Sequence, residues 1–257
     1  MRVALRRLVA LQAQAAFSPY VALWTRVEGF GKDALTQALA DGRIVKASSL
    51  RMTLHVATVE WYPDLAAAAI AARPGRIEPA VREAPLAAWP HNKPSPSRAW
   101  VEALPDAREA SIRVVRAYLA AYGPATRLDV QKFTGFKMGQ IDPALEGLRE
   151  RDGYWDLPRA VRVAGDVHAP VRFLPAFDSI ILAHRDRTRI VPADYEEIVF
   201  NKANATVRST FTVDGFVAGV WRVEKRRLVV EPFAPLPPKW RREVDAEGER
   251  LLAWWLA

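Results

Sequence analysis

The feature that most constrains the fold of this chain is an order of helical and β-rich segments that occurs twice. In the first copy, apolar residues at helical spacing predict helices over residues 2–16, 18–27 and 32–40. The run RIVKASSLRMTLHVAT follows, with two β-rich stretches on either side of a Ser-Ser turn. Three helices followed by a β-hairpin is the order of a winged-helix unit.

The second copy lies further along the chain. Helices are predicted over residues 108–122, 126–134 and 140–151, and YWDL with VRVAG supplies two strands of another hairpin. Because two matches in the same order support each other, the sequence predicts tandem winged-helix units.

The remaining segments complete an α+β prediction with four parts. Residues 1–72 form a first winged helix, the Pro- and Ser-rich stretch 73–105 an irregular connector, and 106–168 a second winged helix. Residues 169–257 form a β-rich C-terminal region, with hairpin turns at Asp214-Gly215 and at 225–227 and a terminal helix over 238–256.

The amino-acid composition limits the classes of ligand and the cellular location that we expect for this protein. Lys and Arg number 37 against 29 acidic residues, and the resulting charge of +8 favours a polyanion such as nucleic acid, although an Arg-rich composition also arises from a GC-rich coding sequence. The chain has no cysteine, and its four histidines lack the spacing of a helical zinc site, so we expect no metal. The basic N-terminal segment lacks the apolar run of a signal peptide or membrane span, which predicts a cytoplasmic protein that does not bind membranes.

Several passages, taken together and in this order, resemble the AlkZ-like (also YcaQ-like) winged-helix DNA glycosylases. They are LVALQAQ, SPYVALWTRV, LRMTLH, YGPATRLDVQKFTG, LPAFDSIILAHRDRTRIVP and STFTVDGFVAGVWRVE. The resemblance implies a cleft for double-stranded DNA, excision of alkylated purines without a cofactor, and a Gln-x-Gln pair beside the sugar of the lesion. That pair matches Gln12 and Gln14. Only eleven residues precede it, fewer than is usual in the family, so we expect an incomplete first unit.

Glutamine suits this chemistry only with an activated substrate, because its amide is no general base. A purine alkylated at N7 or N3 carries a positive charge and leaves readily, so the enzyme has mainly to place a water at C1′ and stabilise the developing oxocarbenium ion. On a regular helix, residues two apart point roughly 200° apart, so both amides meet one nucleotide only if the helix ends or unwinds beside them. Pro19 makes such a break plausible. The alternative is a buried Gln12 in the core and a solvent-facing Gln14.

Two further residues are candidates for catalytic support. Asp178 interrupts the apolar run FLPAFDSIIL, where it either stabilises a cationic sugar or pairs with an arginine in a salt bridge. His55 ends LRMTLH and either contacts DNA or is a structural histidine. The basic residues chosen as candidate DNA contacts, with a solvated charged surface as the alternative, are Arg51, Arg185, Arg187, Arg189, Lys225, Arg226 and Arg227.

Three functions fit these observations. The favoured one is a monofunctional DNA glycosylase that hydrolyses the N-glycosidic bond of alkylated purines, with the lesion's size left open from methyl adducts to interstrand crosslinks. The second is a non-catalytic winged-helix DNA-binding protein such as a transcriptional regulator. The third is a paralogue that keeps the fold and has lost the activity. No protein partner is predicted.

Overall fold

The structure of the protein is a computed structural model that describes residues 1–74, 103–161, 163–201 and 203–257, and the backbone of 85–88 and 93–96. In this part of the chain, helices alternate with short antiparallel sheets, which confirms the predicted mixture of helix and antiparallel strand. No helix of the described part is both long and apolar enough to cross a bilayer.

The N-terminal unit folds around a three-stranded sheet. Its elements are α1 (Arg2–Arg7), β1 (Leu11–Gln12), α2 (Ser18–Trp24), α3 (Lys32–Ala40), β2 (Ile44–Ser48) and β3 (Leu54–Thr58), followed by α4 (Tyr62–Ala72). The strands are antiparallel in the order β1-β3-β2. The second and third predicted helices and both β-runs are confirmed, and a 3-10 turn, Leu50–Met52, joins β2 to β3.

The first predicted helix is wrong beyond its sixth residue. The helix ends at Arg7, and Val9 takes a positive φ of 67°, a strained conformation for a β-branched residue. The indole Nε1 of Trp61 donates to the Val9 carbonyl at 2.8 Å and holds this bend. Leu5, Leu8 and Val9 fit a helical stripe, but pairing of the following residues with β3 prevails over that local pattern.

Two paired strands, β4 (Pro85–Ala88) and β5 (Lys93–Pro96), lie within the predicted connector. The middle of the chain then repeats the order of helices followed by a hairpin. Its elements are α5 (Ala107–Tyr122), α6 (Arg127–Thr134), α7 (Met138–Leu145), β6 (Arg149–Arg151) and β7 (Tyr154–Asp156). Asp106 caps α5 and a Thr126-Asp129 capping box begins α6, close to the predicted starts. Most of the predicted connector, 73–105, lies outside the described residues.

The prediction that YWDL and VRVAG form the hairpin of this middle unit is wrong in its second strand. YWD pairs with Arg149–Arg151, which had been assigned to the third helix, and the residues of VRVAG that the structure describes form no strand. Gly147, with φ of 74°, follows the end of α7, and the Asp152-Gly153 turn then joins the strands with positive φ at both residues. Helical periodicity hid this switch because the strand is only three residues long.

The C-terminal region contains a four-stranded antiparallel sheet and a long terminal helix. Its elements are β8 (Arg172–Leu174), α8 (Ser179–Leu182), α9 (Glu196–Val199), β9 (Phe200–Asn201), β10 (Thr206–Val207), β11 (Thr210–Val213), β12 (Phe216–Glu224), β13 (Arg227–Pro232) and α10 (Pro238–Leu256). The sheet order is β13-β12-β11-β8, and the hairpin turns at Asp214-Gly215 and 225–226 are confirmed. Trp254 on α10 donates to the Phe30 carbonyl at 2.9 Å and so anchors the helix to the N-terminal unit.

The N-terminal and middle units share one hydrophobic core. Val9, Leu50 and Trp61 pack with Tyr118 and Phe133 in a single buried cluster. The turn between β2 and β3 approaches the end of α6 closely: a Cβ on Gly135 would lie 3.3 Å from the Cα of Arg51. Gly135 is therefore needed both for its φ of 77° and for this contact. The assignment of these units as tandem winged helices stays an interpretation.

Candidate active site and nucleic-acid groove

Gln12 ends strand β1 and Gln14 lies at a bend two residues later, so neither is in a helix. The Ala13 N–H between them still donates to the Leu54 carbonyl at 2.8 Å, which keeps the chain extended as far as Ala13. Because side chains two apart in an extended chain point to the same side, the two amides meet. Nε2 of Gln12 donates to Oε1 of Gln14 at 2.6 Å. Gln12 is buried at 7% exposure and Gln14 is exposed, so the pair runs from the interior to the surface.

This hydrogen bond leaves part of each amide unused. Oε1 of Gln12 is buried and accepts no hydrogen bond from the described residues. A buried amide oxygen without a donor costs free energy, so a ligand or water that donates to it gains correspondingly. The amide pair is therefore suited to orienting a polar group of one or two donors.

The pair forms part of the wall of a cavity of about 460 Å³. Thr53 and Arg51 from the first unit and Lys132 from α6 lie on the same wall. The C-terminal region contributes a second, largely apolar wall: Phe177, Leu182, Arg187, Phe200, Asn201, Ala205, Thr206 and Val207. The cavity thus combines three side-chain amides and three cations with apolar surface.

A larger basic groove adjoins this cavity and shares Arg51 and Lys132 with it. The groove has a volume of about 1060 Å³, and it is lined by the cations Arg51, Arg73, Lys132, Lys137 and Arg185 and by no acidic side chain among the described residues. All but Arg51 are exposed. Five cations without carboxylates make a favourable surface for a phosphodiester backbone.

Arg51 is held at the boundary between the cavity and the groove. Its guanidinium donates to the Phe133 carbonyl, and Cζ lies 5.4 Å from the centroid of the Phe133 ring. Burial lowers the pKa of Arg51 to about 10, so the side chain stays charged at neutral pH. Arg51 is a fixed positive charge beside the glutamine pair rather than a mobile surface contact.

His55 lies beneath the glutamines and not in the cavity wall. It is 3% exposed, its backbone pairs with Gln12, and its Nδ1–H donates to the Thr53 carbonyl at 2.8 Å. Burial, together with the charge of Arg51, lowers the pKa of His55 to about 3, so the ring is neutral near pH 7. This placement favours the structural alternative for His55.

Asp178 is fully buried and paired. Both carboxylate oxygens accept from Arg26, at 2.6 and 2.9 Å, and Oδ1 also accepts from the backbone N–H of Ile180 at 3.0 Å at the start of α8. Asp178 is not among the residues that line the cavity. The salt bridge joins the turn after α2 to the C-terminal region, and it favours the structural alternative for Asp178.

The other predicted DNA contacts are dispersed. Arg185 lines the basic groove, and Arg187 lines the glutamine cavity. Arg189 is exposed and donates to the Pro124 carbonyl at 3.0 Å. Lys225, Arg226 and Arg227 lie at the exposed turn between β12 and β13 and line neither the cavity nor the groove.

Several residues of this site were not selected from the sequence. Arg73, Lys132 and Lys137 are isolated cations in the chain, and only the folded structure brings them to one groove. Phe177 and Phe200 are apolar residues in apolar runs, which the sequence assigns to the core. The positive φ of Phe177, 61°, has no sequence signal. Among the described residues, no three His, Cys, Asp or Glu side chains converge as a metal site would require.

Comparison with known protein families identifies the family to which this chain belongs. The model of the DNA glycosylase AlkZ-like family matches residues 5–90 and 70–254, which is nearly the whole chain. The chain belongs to the AlkZ-like family. The expected membership is therefore confirmed.

Two relatives extend the comparison. The chain is 26% identical over 148 residues to the interstrand DNA cross-link repair glycosylase of Streptomyces sahachiroi. That alignment covers 51% of this chain and 38% of the relative. The solved structure of Streptomyces sahachiroi DNA glycosylase AlkZ superposes with a TM-score of 0.76 at 18% identity and covers 97% of this chain and 90% of that one. The superposition shows that the two share a fold.

Proposed function

We propose that this protein is a DNA glycosylase that hydrolyses the N-glycosidic bond of purines alkylated at N7 or N3. The observation that carries the proposal is the pairing of Gln12 with Gln14 in a cavity that adjoins a basic groove. Membership of the AlkZ-like family and the likeness to the interstrand DNA cross-link repair glycosylase of Streptomyces sahachiroi support it.

The proposed reaction needs only water and the residues present. The C1′–N9 bond breaks, its electron pair neutralises the cationic base, and a water oxygen bonds to C1′ while its proton passes to bulk solvent. Oε1 of Gln12, which lacks a donor among the described residues, accepts a hydrogen bond from the attacking water. Gln14, at the exposed end of the pair, holds the same water or the sugar from the opposite side. The oxygen ends of both amide dipoles stabilise the oxocarbenium ion.

The charge of the groove is the reason for proposing DNA as the substrate. A cationic surface that meets the glutamine cavity at Arg51 and Lys132 would hold the phosphates of the strand that carries the lesion. A cavity of about 460 Å³ has room for a nucleobase, and small methyl adducts, larger adducts and crosslinks remain candidate lesions. Cleavage is expected to stop at the abasic site, as in a monofunctional enzyme.

The alternative of a transcriptional regulator is disfavoured by the helices that it would use. A winged-helix regulator reads the major groove with its third helix. Helix α3 has Lys32 as its only cation, and that ammonium donates to the Trp255 carbonyl at 3.2 Å. Helix α7 has no cation, and its exposed Asp142 pairs with Arg127.

An excision assay tests the proposal. A duplex with a single N7-methylguanine is incubated with excess protein, and the released base is measured by chromatography for wild type, Gln12→Ala and Gln14→Ala. We expect each variant to lower the single-turnover rate by about 100- to 1,000-fold, the effect of removing one preorganised polar group from a reacting centre.

The matched control is Gln37→Ala. Gln37 is an exposed glutamine on α3 that hydrogen-bonds Asp41 and lies outside both the cavity and the groove, so its loss should leave excision unchanged. Wild type that releases no base from any alkylated purine tested, while binding undamaged duplex, would leave a DNA-binding protein without this activity.

A further inference from the structure

Arg187 occupies the glutamine cavity in an unusual state for a cation expected to hold phosphate. Its side chain is 18% exposed. Cζ lies 3.7 Å from the centroid of the Phe200 ring, and Nη1 donates to Oε1 of Glu196 at 2.9 Å. The Phe200 ring and the Glu196 carboxylate thus hold the guanidinium within a wall of the cavity, and Arg187 does not line the basic groove.

The donors of Arg187 are only partly used. A guanidinium has five N–H donors, and Glu196 is its one hydrogen-bond acceptor among the described residues. Nε is buried and has no acceptor in that part of the chain. Because a buried donor without a partner is costly, a ligand with an acceptor oxygen would be bound favourably at this position.

Two other polar side chains that line this side of the cavity, Asn201 and Thr206, already form hydrogen bonds within their own loop. Oδ1 of Asn201 accepts from the backbone N–H groups of Ala203 and Asn204, and the Thr206 hydroxyl donates to Asn204. Arg187 is therefore the charged donor on this side of the cavity, and it favours a base edge that accepts hydrogen bonds.

The two purines differ at this edge. Guanine has the acceptor O6, which remains after alkylation at N7, whereas adenine has an N6 amino group that donates. Arginine can donate to O6 and cannot accept from an amino group. We propose, on the basis of the proposed function, that Arg187 is a specificity-determining residue that donates to O6 of an N7-alkylguanine and selects it over alkylated adenine.

The charge of Arg187 is compatible with a cationic lesion because Glu196 offsets it. The contact also becomes more favourable as the reaction proceeds. When the C1′–N9 bond breaks, the base loses its positive charge, so repulsion from the guanidinium falls and the hydrogen bond to O6 strengthens. An interaction that is stronger in the transition state than in the bound substrate accelerates the step.

The test compares Arg187→Gln with Arg189→Gln. Arg189 belongs to the same short 3-10 turn and is exposed. Although the sequence predicts it as a DNA contact, it donates to the Pro124 carbonyl and lines neither the cavity nor the groove, so it controls for loss of one positive charge. Single-turnover excision is measured on duplexes that carry N7-methylguanine or N3-methyladenine, and affinity is measured on undamaged duplex. Melting temperature reports whether each variant is folded.

We expect Arg187→Gln to lower the rate on N7-methylguanine by about 10- to 100-fold, the value of one charge-assisted hydrogen bond in the transition state. The rate on N3-methyladenine, where measurable, and the affinity for undamaged duplex should change less than about threefold, as should every value for Arg189→Gln. Arg187→Lys, which keeps the charge, should recover only part of the loss because one ammonium cannot reproduce the planar fork of donors.

Two results overturn the inference. If the guanine rate falls less than threefold, Arg187 does not read the base. If guanine rate, adenine rate and duplex affinity fall together, Arg187 acts on the phosphate backbone or on the fold. Wild type that excises neither lesion would refute the proposed function instead, so the two failures are distinguishable.

Discussion

The buried pair of Asp178 and Arg26 allows a structural role to be separated from a catalytic one. The Asp178 side chain is fully buried and that of Arg26 is 21% exposed, so replacing the carboxylate leaves a largely buried guanidinium without its charge partner. Removing one partner of a buried ion pair costs about 3–5 kcal/mol. Asn is the sharpest substitution, because it still caps a helix and so preserves the bond to the Ile180 N–H.

The free energy converts into a measurable melting shift. A chain of this size loses about 2–4 °C of Tm for each kcal/mol, so Asp178→Asn should lower Tm by about 6–20 °C. The double variant Arg26→Met/Asp178→Leu should recover much of the loss, because an apolar pair of similar volume avoids the cost of a lone buried charge. The matched control is Asp142→Asn, which breaks an exposed pair with Arg127 and should change stability by less than about 1 kcal/mol.

Excision by the same variant decides between the two interpretations of Asp178. At a temperature where Asp178→Asn remains folded, its single-turnover rate on N7-methylguanine should stay within about threefold of wild type, since the carboxylate lies outside the cavity. A fall of about 100-fold or more in folded protein, with no change in Tm, would refute the structural role and make Asp178 part of the chemistry.

Two further predictions concern pH and salt. The pKa of His55 in the folded protein, about 3, lies below its value in the unfolded chain, so the unfolded state binds more protons between these two values. The free energy of unfolding should therefore fall as pH decreases from about 6.5 towards 3. His55→Gln should reduce that fall, as measured by denaturation at a series of pH values. The triple variant Arg73→Gln/Lys132→Gln/Lys137→Gln should weaken binding to undamaged duplex and lower the slope of log K against log salt by about 2–3, as measured by fluorescence anisotropy. The same number of charges removed from α10, at Lys239, Arg241 and Arg242, should leave the slope unchanged, and an equal effect at both places would contradict a phosphate-binding groove.

The sequence predicted the fold well wherever local signals agreed with tertiary packing. Helix α3 has the predicted bounds, and the Asp214-Gly215 turn lies where its dipeptide indicates. The prediction was wrong where a short strand replaced a helical pattern, as at Arg149–Arg151. Three residues are too few to show a period of two, so only the pairing with Tyr154–Asp156 identifies them as a strand.

The sequence predicts some residues of the candidate site, but it predicts neither the rest of its lining nor its contacts. Gln12 and Gln14 were selected through the family resemblance, and Arg187 was selected as a cation. The partners that define what these residues can do lie far away in the chain: Arg26 is 152 positions from Asp178, and Arg51 is 82 positions from Phe133. No local pattern in one sequence encodes such pairs, so burial and charge state could be assigned only from the folded chain.

At the glutamine pair, the sequence predicts the wrong local structure, while the catalytic role of the two residues stays a prediction. A helix through residues 2–16 would have sent the two amides to opposite sides, and the expected remedy was a break near Pro19. The chain instead leaves the helix at Arg7, turns at Val9 and pairs with β3, which sets Gln12 opposite His55. The extended chain from Gln12 to Ala13 then brings the side chains of Gln12 and Gln14 together. The strain at Val9, held by the Trp61 indole, is therefore what allows the side chains of Gln12 and Gln14 to meet.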